Sequence, residues 1–245
     1  MKKLSCMADF WLFNSLDNKE KTYIQSLFRR PEYKKGDFLF MEDEPTSAVF
    51  LITSGRVKLF KTSDEGKEVV LGILSTNNLF GEQILFSEGK HTFAAQALEP
   101  TRLCACYKND FEALVAQNSE ISIKIIRTLG EKLNKMTEQL ADMAIYETQD
   151  RVARTLVRLA EEHGEDTQDG RRLSFQLTHD DLGALVGASR VMVTNVLKSL
   201  RKAGVVLDDS SRKFTVSTWF INELAGQIDL EGEPQPSACQ CFTGI

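Results

Sequence analysis

Residues 187–198 read GASRVMVTNVLK, and this stretch decides how the rest of the chain is interpreted. Ser189 is a favourable N-cap, and the apolar residues after it recur at helical spacing. They predict an inner helix face made of Val193, Val196, Leu197 and Leu200. The opposite face carries Arg190, Val191, Thr194, Asn195 and Lys198. Between Ala188 and Gly204 there are basic residues but no acidic one, although the chain has a net charge of -5, so this helix is predicted to attract anions locally.

The residues just before this helix predict a second helix that packs tightly against it. In LTHDDLGALVG (177–187), Thr178 can cap the helix and Gly187 can end it. Gly183 has no Cβ and allows the second helix to approach closely. Two helices joined by so short a turn form a helix-turn-helix, and the predicted hairpin in VVLDDSSRKFTVS (205–217), with its turn near Asp208 to Ser211, supplies a wing.

The winged domain is predicted to span 146–220. It opens with a helix in ETQDRVARTLVRLAEEHG (147–164), with Gly164 in the left-handed position after its last turn. A polar loop, EDTQDGRR (165–172), and a strand, LSFQL (173–177), are predicted to follow. The acidic tail at 221–245 is expected to be flexible.

The outer face of the second helix predicts binding to the major groove of DNA. Arg190 can hold phosphate or pair with guanine, Asn195 can read adenine, and Val191 or Met192 can contact a thymine methyl. The candidate DNA-binding residues are Ser189, Arg190, Val191, Met192, Thr194, Asn195 and Lys198. The alternative is a solvated amphipathic helix in a winged domain that binds protein.

Short β-like segments separated by turn residues predict one β-roll within residues 1–116. Examples are AVFLITSGRVKLFKTSDEG (48–66) and TRLCACY (101–107). Many short strands at this spacing are typical of a sandwich or barrel.

A long helix is predicted at 117–145, because no proline interrupts that segment. Its apolar residues follow the alternating spacing of three and four that is typical of a two-stranded coiled coil. The candidate dimer interface is Ile126, Leu129, Leu133, Met136, Leu140 and Met143. Packing against its own β-domain is the alternative, but a helix of about 42 Å is longer than a small roll can cover. A parallel homodimer is therefore favoured.

Composition excludes several classes of protein. The 245 residues suffice for two modest domains, and no apolar run approaches the roughly 20 residues of a membrane span. The N-terminus lacks a secretory signal, so we expect a cytoplasmic protein without a membrane partner. The three histidines, His91, His163 and His179, are isolated and expected to be satisfied core or surface residues. Without a metal cluster, a nucleophile–base pair or a phosphate loop, we do not expect an enzyme.

These motifs, in this order over roughly residues 10–220, resemble the CRP/FNR superfamily of bacterial transcription regulators. The resemblance implies an α+β chain with an N-terminal cyclic-nucleotide-binding-type β-roll, a long dimerisation helix and a C-terminal winged helix-turn-helix. It also implies a homodimer that reads a twofold-symmetric operator in double-stranded DNA, responds to an effector or redox event, and works with RNA polymerase, as an activator in many members. Arg190 matches the family's motif arginine, but Val191 replaces a common glutamate and Asn195 a frequently basic residue, so the half-site is not transferred.

The resemblance also identifies a candidate effector pocket at Gly81, Glu82, Thr92 and Phe93. In cAMP-binding relatives, an Arg-Ser or Arg-Thr pair that holds the cyclic phosphate follows the Gly-Glu pair. Here Thr92 and Phe93 stand at that position. A buried phosphate would lose its charged partner, so cAMP is disfavoured and the effector stays unknown. A cAMP-responsive regulator and a β-roll that controls a partner protein without DNA are the alternatives.

The cysteines leave three possibilities open. The sequence around Cys104 is similar to the oxygen-sensing FNR branch, in which a cysteine at that place is a cluster ligand, but this chain has one N-terminal cysteine, Cys6, where those sensors have three. Cys104 and Cys106 should face the same side of a strand. The thiols are either buried or idle, or form a disulfide switch between Cys6 and Cys104 or Cys106, or hold an iron–sulfur cluster or another metal.

Overall fold

A computed structural model describes residues 10–85, 89–207 and 213–228, with side chains of the last helix to Leu224. The chain divides into two compact units, Met1–Thr137 and Glu138–Ile245. The division falls within the long helix, eight residues before the predicted boundary at 145.

The first unit is built on two antiparallel sheets. Its strands are β1 (Phe28–Arg29), β2 (Glu32–Tyr33), β3 (Phe38–Phe40), β4 (Ala48–Ser54), β5 (Val57–Thr62), β6 (Glu68–Leu74), β7 (Leu79–Phe80), β8 (Ala94–Ala97) and β9 (Thr101–Tyr107). One sheet has the order β1-β9-β4-β7, with β2 also paired to β9, and the other has the order β3-β8-β5-β6. Phe40, Phe50 and Phe80 lie in a hydrophobic core that draws on both sheets.

Helices cover the other face of the first sheet. They are α1 (Asn18–Leu27), α2 (Lys108–Gln117) and the start of α3 (Ser119–Ile145). Asp17 and Glu20 form a capping box that starts α1. Ile121 and Ile125 of α3 are buried in the same cluster as Cys104 and Cys106. The first turns of α3 are thereby fixed to the roll.

The second unit combines helices with a small sheet. Its helices are α4 (Thr148–His163), α5 (His179–Val186), α6 (Arg190–Lys202) and α7 (Thr218–Ile228). Its strands are β10 (Gly164–Asp166), β11 (Gly170–Leu173), β12 (Val206–Leu207) and β13 (Thr215–Ser217), in the order β10-β11-β13-β12.

Four local predictions differ from the structure. Gly164 is extended (φ -90°, ψ 161°) rather than left-handed, and a Cβ there would overlap the carbonyl oxygen of Ala160. Glycine is therefore required at position 164 by the close approach of the Ala160 carbonyl oxygen, and not by a positive φ. The segment 165–172 is part of a β-hairpin rather than a loop, and the strand predicted at 173–177 ends at Leu173. The predicted tail at 221–245 begins inside α7, while 229–245 lie outside the described residues.

Within the described ranges, none of the helices combines the length and hydrophobicity needed to cross a lipid bilayer.

Candidate nucleic-acid interface

The turn between α5 and α6 has the geometry that its glycines predict. Thr178 accepts a hydrogen bond from the backbone of Asp181, whose side chain completes a capping box. Gly187 ends α5 in the left-handed conformation, with φ 67°. A Cβ on Gly183 would lie 2.7 Å from the carbonyl oxygen of Ala188, so the turn requires glycine there. The helix-turn-helix is thus fixed by local chemistry.

Helix α6 has a buried face and an exposed face. Ser189 caps it by accepting a hydrogen bond from the backbone N–H of Met192 at 3.3 Å. Val193, Leu197 and Leu200 are fully buried, whereas Val196 is only half-buried. The inner face of the helix is therefore the predicted one, with a partly exposed margin at Val196.

The predicted DNA-binding residues lie together on the exposed face. Val191 is 69% exposed and Met192 48%, and Arg190, Asn195 and Lys198 are also exposed. Thr194 is half-buried at the margin of this face. Exposed apolar side chains next to cations suit a surface that meets both phosphates and base edges.

Two residues that sequence reasoning left out contact this face from α5. A carboxylate oxygen of Asp180 lies 3.3 Å from Nη1 of Arg190. Nδ1 of His179 lies 2.9 Å from Oγ1 of Thr194. Both residues lie in the first turn of α5, directly after its cap Thr178. Their position at the start of the first helix of the helix-turn-helix could have marked them as neighbours of the binding face.

The wing is described at its base only. β12 and β13 pair antiparallel, with Val206 opposite Val216 and Leu207 opposite Thr215. The turn predicted near Asp208 to Ser211 lies outside the described residues. Lys213, just before β13, donates from Nζ to the carbonyl oxygen of Ser174 at 2.8 Å.

In the first unit, the side chains of Glu82, Thr92 and Phe93 contact other protein side chains. Gly81 has φ 84°, and Glu82 is 9% exposed and pairs with Nζ of Lys132 on α3 at 2.5 Å. Thr92 donates from Oγ1 to Oε1 of Gln83 at 3.3 Å. Phe93 is half-buried against the core of the roll.

His91 lies between Glu44 and the aromatic core of the roll. It is 2% exposed, and its ring stacks on Phe40 with centroids 3.6 Å apart. Its backbone exchanges hydrogen bonds with the neighbouring turn, to Glu44 and from Asp43. Burial lowers the pKa of His91, although Glu44 opposes the shift, so this histidine is a neutral core residue at pH 7.

Cys104 and Cys106 face the same side of β9, as alternation predicts, and both are buried free thiols. Burial, with a smaller contribution from Asp110, raises the pKa of Cys106 to about 12. Because the thiolate is the reactive form and the metal ligand, Cys106 is poorly suited to redox or metal chemistry. Cys6 lies outside the described residues, and no metal-binding group of three or more His, Cys, Asp or Glu residues occurs in the part of the chain that is described.

The apolar seam of α3 is exposed along most of its length. Ile126, Leu133, Met136, Leu140 and Met143 are all exposed, and Leu140 is 70% exposed. Leu129 differs, because it is half-buried against the core of its own unit. At Leu129 the alternative prediction, packing against the β-domain, thus describes the structure.

Comparison with known proteins agrees with both units. Residues 30–118 match the cyclic nucleotide-binding domain family, and residues 150–219 match the Crp-like helix-turn-helix domain family. The chain is 33% identical over 195 residues to the cyclic AMP receptor protein of Thermus thermophilus, covering 80% of this chain and 87% of the relative. It is 28% identical over 191 residues to the anaerobic regulatory protein of Bacillus subtilis, covering 78% and 80%.

The fold is also found in solved structures. A mutant of CooA from Carboxydothermus hydrogenoformans superposes with a TM-score of 0.71 at 23% identity, covering 89% of this chain and 97% of that one. The order of β-roll, long helix and winged helix-turn-helix is the same as that expected from the sequence motifs. With 33% identity to the cyclic AMP receptor protein of Thermus thermophilus over 80% of this chain, this protein belongs to the CRP/FNR superfamily of DNA-binding transcription regulators.

Proposed function

We propose that the protein acts as a homodimer that reads a twofold-symmetric operator, with one α6 in the major groove of each half-site. The observation that carries this proposal is the exposed face of α6, on which apolar and cationic side chains lie together in a segment without acidic residues. Its apolar side chains gain from contact with bases, and its cations gain from contact with the flanking phosphates.

The candidate residues divide the work of recognition. Arg190 pairs with guanine or phosphate, Asn195 with adenine, and Val191 and Met192 with thymine methyl groups. Ser189 and Lys198 supply phosphate contacts from the two ends of the face, and Thr194, whose hydroxyl proton is donated to the carbonyl oxygen of Arg190, lines its margin. To contact DNA, Arg190 must separate from Asp180. Because both side chains of this ion pair are about two-thirds exposed (69% and 65%), the separation costs of the order of 1 kcal/mol or less.

The exposed seam of α3 supports the proposed dimer. A helix of 27 residues extends about 40 Å, and its apolar side chains at coiled-coil spacing would be covered by a parallel copy. Two copies of α6 would then face successive turns of the duplex, as half-sites one helical turn apart require. A β-roll that controls a partner protein without DNA is the competing function.

We propose that the effector of the roll is not cAMP, although a relative is named as a cyclic AMP receptor protein. Thr92 is uncharged and bonds Gln83, and Phe93 packs on the core, so neither can neutralise a cyclic phosphate. Adding cAMP should leave operator affinity unchanged, while a cAMP-dependent increase would restore the cAMP-responsive alternative.

The thiols of the roll are not proposed as the sensor, because both are buried and Cys106 holds its proton. A switch that involves Cys6 would make operator affinity depend on dithiothreitol, and equal affinity in reduced and oxidised protein would remove it. The absorption spectrum of anaerobically purified protein tests the iron–sulfur alternative.

We also propose a cytoplasmic location, RNA polymerase as a partner and the absence of catalysis. These proposals rest on the similarity of the chain to proteins that are named as regulators.

A gel shift with fragments from the protein's own promoter region, repeated over a range of salt concentrations, tests the proposal. Binding to phosphates must weaken as salt rises, because bound counterions are released on association. A protein-binding module would give no shift at any salt concentration.

A further inference from the structure

His179 joins the three elements of the proposed DNA-binding surface. It is the first residue of α5, and its Nδ1 lies 2.9 Å from Oγ1 of Thr194 on α6. Its ring stacks on Phe214, next to β13 of the wing, with centroids 6.3 Å apart and planes 25° apart. Phe214 is itself buried, so the imidazole packs on a side chain that is held in place by the core.

The hydrogen bonds of Thr194 determine which ring nitrogen of His179 carries the proton. Oγ1 of Thr194 donates to the carbonyl oxygen of Arg190 at 2.8 Å, and a hydroxyl has one proton to donate. The same oxygen therefore accepts from His179, whose Nδ1 must be the protonated nitrogen of the neutral ring. Nε2 is then the atom that gains or loses a proton.

Burial and two neighbouring arginines favour the neutral ring in the free protein. Partial burial, Arg201 and Arg190 lower the pKa of His179, and Asp180 opposes them. On the wing side, Phe214 carries no charge and the Nζ of Lys213 is bonded to Ser174. An added anion is the change that would favour the charged ring.

We propose that His179 is a proton-gated phosphate contact, in which Nδ1 stays anchored to Thr194 while a protonated Nε2 donates to a DNA phosphate. This inference rests on the proposed function, because it places the duplex against α6. It adds a pH-dependent contact to the permanent ones made by arginine and lysine.

The direction of the pH effect follows from linkage. A nearby phosphate stabilises the imidazolium, so the pKa of His179 is higher in the complex than in the free protein. The gain in affinity is complete below the pKa of the free protein and is lost as pH rises through the pKa of the complex. The other two histidines, His91 and His163, are 2% and 7% exposed and are buried in cores.

Fluorescence anisotropy on the full chain measures this effect. The probe is a labelled duplex selected from random DNA with the wild-type protein near neutral pH. Between about pH 7.5 and about pH 5.5, wild-type affinity should rise about tenfold. The plot of log affinity against log salt should steepen by about 0.9 for each protomer that gains a phosphate contact.

Three variants separate this role from a structural one. His179→Asn keeps an N–H for Thr194 but cannot be protonated, so both pH effects should disappear while affinity near pH 7.5 stays within about twofold. His179→Lys carries a permanent charge and should bind tightly, with the steep salt slope, at both pH values. Asp180→Asn is the matched control, since it removes the neighbouring titratable group and should retain the pH response.

The results distinguish this inference from the function on which it rests. A full pH response in His179→Asn would overturn the role of His179. A wild-type protein that binds DNA with steep salt dependence but without a pH response would also overturn it, and would leave the proposed function intact. Absence of salt-dependent binding at both pH values would overturn the proposed function itself.

Discussion

Helices α3 and α6 both expose large apolar side chains, yet the surroundings of those side chains differ. On α3 the exposed residues follow a single seam from Ile126 to Met143, in which Leu129 alone is half-buried. On α6 the two exposed apolar residues, Val191 and Met192, are flanked by cationic and amide side chains. A continuous apolar seam needs an apolar partner, whereas isolated apolar groups among cations fit an anionic partner with apolar patches. The same degree of exposure therefore indicates two different partners.

Charge in the seam of α3 should give the largest effect. Leu133→Asp puts a carboxylate from each protomer into an apolar interface, where an unpaired charge costs several kcal/mol. We expect dimer dissociation to increase by more than about 100-fold, with loss of operator binding, as measured by analytical ultracentrifugation and anisotropy. Asn134→Asp is the matched control, because it adds the same charge one residue away from the seam. Equal dimerisation of the two variants would contradict the assignment of the seam.

Removal of the arginine from α6 should give the next largest effect, and on DNA binding alone. A bidentate contact to guanine contributes about 1–3 kcal/mol per half-site, so Arg190→Ala should weaken operator binding by roughly 30-fold or more. The dimer should persist, since Arg190 is not on α3. Arg127→Ala, which removes an exposed arginine from α3, should leave operator affinity unchanged. Operator affinity that is equal in Arg190→Ala and wild type would refute the role of Arg190.

Sequence reasoning succeeded where a signal is local and failed where it is not. The cap at Thr178 and the end of α5 at Gly187 depend on residues within one helical turn, and both have the predicted geometry. The strand predicted at LSFQL failed because alternation reports burial rather than pairing. Phe175 and Leu177 are buried, but only Leu173 at the start of that segment belongs to a strand.

Contacts between residues that are far apart in the chain could not be predicted from the sequence either. The stacking of His179 on Phe214 and the pairing of Glu82 with Lys132 join residues that are far apart in the chain. No periodicity or cap marks such pairs, and only the fold brings them together. Leu129 is similar, because its heptad position is that of the seam while the roll beside it covers part of its surface.

Leu129 and Leu133 test where α3 changes from packing on its own roll to packing against a second copy of the chain. Leu129→Ala removes partly buried contacts within one protomer and should lower the free energy of unfolding by about 1–2 kcal/mol at every protein concentration. Leu133→Ala should instead produce a loss that shrinks as the protein is diluted and disappears once the wild type is itself dissociated, because it weakens association. Urea unfolding at several concentrations measures both. A concentration-dependent loss in Leu129→Ala would show that this residue belongs to the dimer interface.

Val191 should give the smallest effect, and it tests the comparison directly. If Val191 contacts a thymine methyl, Val191→Ser loses a small apolar contact in each half-site, and operator affinity should fall by about three- to tenfold. The free energy of unfolding should change little, because the side chain is 69% exposed in the free protein. Val69→Ser alters a valine that is 39% exposed in the roll and is the control for a general effect of polarity. Because the methyl contact is specific to thymine, the loss should be confined to duplexes with thymine at the contacted position. An equal loss on every duplex would mean that Val191 contributes to the shape of α6 rather than to base recognition.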